Sequence, residues 1–113
     1  MAGNLGHAKP VEVRDNQSRC RYEIWVGEEL AGIEGYEIGD DGVITLLHTI
    51  IDEKYSRQGY ARAMVREILD GMRARQQTFR PVCTYVQRFL TRFPEYRELA
   101  APSDGAGVAA RAD

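Results

Sequence analysis

Cysteine and histidine are scarce in this chain. Cys20 and Cys83 are its only cysteines, and His7 and His48 its only histidines, among 113 residues. Two cysteines do not build a disulfide framework, and theirs is not a metal-binding spacing. Two histidines this far apart do not suggest a zinc site, so no metal is expected. Long apolar runs are missing too. None approaches the roughly 18 residues that span a bilayer, so no membrane span is expected. The opening MAGNLGHAKP lacks the apolar centre of a signal peptide. These absences point to a cytoplasmic protein. The length suits one domain, and there are no internal repeats.

The net charge of −2 is unevenly spread. Residues 1–56 carry 5 Lys/Arg against 11 Asp/Glu, a net −6. Residues 57–97 carry 9 against 3, a net +6. A basic second half suits nucleic acid or a phosphorylated small molecule. The whole chain is acidic and shows no nucleic-acid-binding motif, so no nucleic acid is expected. Some of these arginines belong simply to a solvated helix face.

Residues 1–10 read as a loose arm, and 100–113, rich in Ala and Gly, as a disordered tail. Between them, VEVRD (11–15) reads as an edge strand. RCRYEIWV (19–26) alternates, with Cys20, Tyr22, Ile24 and Val26 on one face. GEE (27–29) is a turn, and LAGIEGYEIG (30–39) a strand in which Gly32 and Gly35 allow a bulge or a close approach. DDG (40–42) is a hairpin signal. VITLLHTII (43–51) is apolar on both faces, as a central strand covered on both sides would be. The result is an antiparallel meander.

An amphipathic helix follows, with Ala61, Met64, Val65, Ile68, Leu69 and Met72 on one face. TFRPV (78–82) reads as a short strand. Thr84 and Gln87 have capping-box spacing at the start of a last helix, which Pro94 ends.

Three places carry chemistry. Between the strand VITLLHTII and the first helix lies Ser56-Arg57-Gln58-Gly59-Tyr60-Ala61. A helix start offers free N–H donors and a partial positive charge. Gly59 lets an anion approach the backbone, and Arg57 and Arg62 add charge. An ordinary strand-to-helix connection is the equal alternative. Cys83, just before the expected cap Thr84, is placed for a lowered thiol pKa; a small buried side chain is the blander reading. Cys20 reads as packing. His48 falls in phase with Ile44, Leu46 and Ile50, as a core histidine would, yet its ordinary pKa near 6.5 suits a general base. Tyr85 and Tyr96 are proton donors or core tyrosines.

The strand LLHT, the loop SRQGYA, the amphipathic helix, the strand RPVC and the helix TYVQRFLTRFPEY come in an order that resembles the GNAT superfamily of acetyl-CoA-dependent N-acetyltransferases. More closely, residues 11–99 resemble its compact single-domain branch. The resemblance implies an α+β fold: a mixed sheet with a mainly antiparallel N-terminal meander and two C-terminal helices. It implies acetyl-CoA as acyl-donor cosubstrate. The pyrophosphate would lie on Ser56, Arg57, Gln58, Gly59, Tyr60, Ala61 and Arg62. The pantetheine arm would lie along Thr49, Ile50 and Ile51, with Cys83 across the gap. Transfer would go directly to an amine, with His48 as base, Tyr85 as acid or CoA contact, and Cys83 as acyl carrier or thioester-side contact.

The chain departs from the family pattern in places. Ser56 and Arg57 stand where Gln or Arg and a further glycine are usual. Ile50 stands where the compact branch often has a glutamate. Phe89 and Leu90 stand where larger members place a tyrosine acid. CoA binding without transfer, as a sensor or partner-binding module, is therefore the alternative. The helices that wall the acceptor site in larger members are also missing. An open site suits an exposed amine on a peptide or protein, or a pocket completed by a second copy in a homodimer.

Overall fold

The computed structural model describes residues 9–102. The arm expected over 1–10 and the tail expected over 100–113 therefore lie mostly outside the described residues. Among the described residues five strands form one sheet in the order β1-β2-β3-β4-β5: Val11–Asn16, Arg21–Val26, Glu29–Ile38, Ile44–Ile51 and Phe79–Pro81. The first four pair antiparallel, as the alternating segments and short turns require. The last pairs parallel to β4, which demands a crossover; helix α1, Tyr60–Ala74, supplies it. Helix α2, Thr84–Arg92, follows β5. The fold is α+β, with the mixed sheet and two helices the sequence implies.

The core lies on one face of the sheet. Tyr22, Ile24, Tyr36, Ile44 and Leu46 point into it, and α1 adds Met64, Val65, Ile68, Leu69 and Met72. Burying each such side chain is worth about 1.5–3 kcal/mol. Phe79, Val86, Phe89 and Leu90 close the cluster from β5 and α2. The Asp40–Gly42 hairpin forms as expected. Gly39 N–H bonds to the Val43 carbonyl at 3.0 Å, Asp41 accepts the Val43 N–H, and Gly42 takes φ +81°.

Four expectations need correcting. Cys20 does not pack: it is exposed and takes φ +52° at the turn into β2. Strand β4 is interior in the sheet but covered on one side only, since both helices feed the same core and Ile50 is 56 % exposed. His48 does not share a face with Leu46. Gly35 pairs with His48 but Tyr36 with Leu46, so Leu47 is an extra residue, a β-bulge. The bulge reverses the alternation. It turns His48 and Ile50 to the helix-free face and Thr49 and Ile51 to the core face. Finally, α2 has no capping box. Cys83 is its N-cap, Thr84 is the first helical residue, and the Gln87 amide donates to the Pro81 carbonyl at 2.8 Å.

Candidate active site

The site begins where two strands part. Strand β4 pairs with β3 along its whole length, but with β5 only from Ile44 to Leu46. Strand β5 ends at Pro81, and the chain then turns into α2. The last link is the Cys83 N–H bonded to the Leu46 carbonyl at 2.8 Å. Beyond it the β5-side edge of β4, from Leu47 to Ile51, has no strand partner among the described residues. A cleft of about 370 Å³ opens there, between His48, Thr49 and Ile51 on one wall and Val82, Cys83 and Tyr85 on the other. It continues into a cleft of about 410 Å³ against Ser56, Arg57 and the start of α1; Ile51, Ala61 and Tyr85 border both.

The loop at the far end builds itself. Asp52 caps a short 3-10 turn, Glu53–Tyr55, by accepting the Lys54 N–H at 2.9 Å. The Ser56 hydroxyl donates to the Glu53 carbonyl, and the Gln58 amide donates to the Lys54 carbonyl. Arg57 takes φ +61° and Gly59 φ +88°, which swings the backbone into α1. Gly59 offers α1 no side-chain cap, and the first helical bond runs from the Ala63 N–H to the Gly59 carbonyl at 3.0 Å. The Tyr60, Ala61 and Arg62 amides thus precede the first helical bond, at the positive end of the helix. A Cβ on Gly59 would meet nothing within 4 Å, so the backbone there is open to a close approach. With Arg57 and Arg62 on the same cleft, these donors fit a pyrophosphate.

At the other end, the His48 imidazole lies over Gly35: a methyl there would sit 2.6 Å from Nε2. His48 is exposed and borders the mouth of the cleft. Cys83 is 2 % exposed and faces Thr49, with Sγ 3.2 Å from Oγ1. Tyr85 is half-buried; burial raises its hydroxyl pKa, against the pull of Arg62, Arg88 and Arg92.

Behind Thr49 stands a residue the sequence reading did not single out. Glu34 on β3 pairs directly with Thr49 and is fully buried. The Thr49 hydroxyl bonds to Glu34 Oε1, and Cys83 Sγ lies 3.9 Å from the same oxygen. Oε2 has no hydrogen-bond partner among the described residues. Burial pushes this carboxyl up to about 7, although the Thr49 and Cys83 bonds favour the ionised form. A signal was available: Glu34 is in phase with Tyr36 on the face that feeds the core.

The structure thus brings His48, Thr49, Ile51, Cys83 and Tyr85 to one cleft, and Ser56, Arg57, Gly59, Tyr60, Ala61 and Arg62 to its continuation. Ile50 and Gln58 do not line it. The Ile50 side chain lies on the opposite sheet face, and Gln58 is spent on the loop itself. Tyr96 lies apart, its hydroxyl bonded to Asp70 at 2.7 Å.

Residues 21–99 match the sequence model of a family described as GCN5-related N-acetyl-transferase. The chain belongs to that family and is by class an acyltransferase. Among solved structures it is similar to the ribosomal-protein-alanine N-acetyltransferase from Brucella melitensis biovar Abortus 2308. The identity is 17 %, over 84 % of this chain and 72 % of that one, with a TM-score of 0.49. A search of curated proteins gave no match.

Proposed function

We propose that the protein transfers an acetyl group from acetyl-CoA directly to an amine. The observation that carries this reading is the unpaired β4 edge from Leu47 to Ile51, which leads straight to the open amides of α1. An extended arm with amide groups pairs with such an edge as an added strand does, and a pyrophosphate at its end meets the helix start. Acetyl-CoA, as cosubstrate, supplies a thioester whose carbonyl an amine can attack.

The chain's own residues divide the remaining work. Thr49 and Ile51 border the arm, and Arg57, Arg62 and the amides from Tyr60 to Arg62 hold the phosphates. His48, at the exposed mouth, takes the proton from the incoming amine. Backbone N–H groups of the open edge stabilise the oxyanion. Cys83 and Tyr85 lie on the wall opposite β4, on the thioester side. The helix-free face beside His48 leaves room for an amine carried on a peptide or protein. A cytoplasmic setting, where acetyl-CoA is made and spent, suits this chemistry.

The test is turnover. Purified protein with acetyl-CoA and a panel of peptide and small-molecule amines should release free CoA thiol in an amine-dependent way. Binding of acetyl-CoA with no release on any amine would instead favour a CoA-binding module.

A further inference from the structure

Glu34, Thr49 and Cys83 form an unbroken chain of polar atoms from the buried core to the cleft. Glu34 Oε1 touches Thr49 Oγ1, and Oγ1 lies 3.2 Å from Cys83 Sγ. Each step spans two elements: β3 to β4, then β4 to the residue before α2. Packing alone does not explain a carboxyl here. It is fully buried, and among the described residues one of its oxygens has no partner and no cation pairs with it. A neutral carboxylic acid is far less costly in such a place than a carboxylate. The titratable groups that face it are Tyr22, its partner on β2, and Cys83. Burial keeps Tyr22 protonated, with its pKa raised to about 12. The side chains that α1 and α2 bury are apolar: Met64, Val65 and Ile68 from one, Val86 and Phe89 from the other.

We propose that Glu34 is the proton source for the departing CoA thiolate, acting through Thr49 and Cys83. The proposal rests on the acetyltransferase reading above. As the C–S bond of the thioester breaks, Cys83 gives its Sγ proton to the leaving sulfur. The Thr49 hydroxyl, which donates to Glu34 Oε1 at rest, turns to Cys83 Sγ and gives it its proton, while Thr49 Oγ1 takes the carboxylic proton of Glu34. One proton leaves Glu34 and one arrives at CoA, so Glu34 ends ionised and is reprotonated before the next turnover. Cys83 forms no bond to carbon in this scheme. Glu34 does not touch the reacting atoms. It is a positioning residue that keeps the relay loaded while solvent stays out.

Infrared difference spectroscopy of the protein without ligand, wild type against Glu34→Gln, tests the first half. A buried carboxylic C=O band should be present at pH 6, vanish as pH rises through about 7, and be missing in the variant. No such band at pH 6 would overturn the proposal. Kinetics tests the second half. Glu34→Gln, of nearly the same size, should lower kcat about 10²-fold and remove the basic limb of the kcat–pH profile, while acetyl-CoA binding measured by calorimetry is unchanged. Thr49→Val, cutting the same chain from a half-exposed position, should also lower kcat and remove the basic limb, and decides the matter if Glu34→Gln does not fold. Wild-type kcat and pH profile in a folded variant would overturn the relay and leave the acetyltransferase reading standing. Loss of acetyl-CoA binding by the wild type would instead sink that reading.

Discussion

His48 lies directly over Gly35, which leaves no room for even a methyl group under the imidazole: a Cβ on Gly35 would come within 2.6 Å of Nε2. The β4 bulge at Leu47 puts His48 on this face, and Gly35 lets the ring lie close to the sheet. Gly35→Ala should therefore displace the imidazole. We expect kcat to fall about 10-fold or more, since a positioned general base is worth at least that. In a His48→Ala background the same change should cost nothing further. Equal losses in both backgrounds would show that Gly35 acts independently of His48.

Glu34 makes stability depend on pH. Its ordinary pKa is 4.5 and its folded value about 7. Below about 4.5 it is protonated in both states. Between there and about 7 the unfolded chain ionises while the folded one keeps its proton, so stability falls as pH rises. Above about 7 the loss is complete and constant. Glu34→Gln removes this slope. Relative to wild type it should gain a few kcal/mol between pH 5 and pH 8 in denaturant titrations. Parallel pH curves for the two proteins would contradict the buried neutral acid.

The segment after α2 is held by Tyr96, which is 4 % exposed. Its hydroxyl donates to Asp70 at 2.7 Å, tying the 3-10 turn Pro94–Leu99 to α1. Tyr96→Phe keeps the ring packed on Phe89 and loses that bond together with the longer one accepted from Arg66 at 3.4 Å. A cost of about 1 kcal/mol is expected, which lowers Tm by about 4–8 °C. An unchanged thermal melt would show that the bond contributes nothing.

The meander and α1 were legible because one-sided burial writes itself as period. Tyr22, Ile24 and Val26 repeat every second residue, and Met64, Val65, Ile68, Leu69 and Met72 follow the helical repeat. The faces of β4 were not legible. A bulge at Leu47 leaves no mark in a strand apolar on both sides, so strict alternation puts His48 on the core face, where it does not lie. Thr84 looked like a cap, but the Cys83 N–H is held by Leu46 across the sheet, and that long-range bond sets where α2 starts. The phase of Glu34 with Tyr36 marks it as core-facing, but its partners are not legible: Thr49 and Cys83, distant in sequence, reach it only in the fold.

The most direct test of the account is calorimetric titration with acetyl-CoA and CoA of three proteins: wild type, Gly59→Asp and Gly42→Asp. Gly59 and Gly42 both have positive φ, +88° and +81°, and both have open space where a Cβ would go. The two substitutions therefore carry similar backbone strain, of about 1–2 kcal/mol, but only Gly59 borders the cleft. Saturable binding is predicted for wild type and Gly42→Asp, with affinity at least about tenfold weaker in Gly59→Asp, where a carboxylate faces the phosphates. No binding to folded wild type at millimolar ligand, or equal affinity in folded Gly59→Asp, would contradict the proposed site.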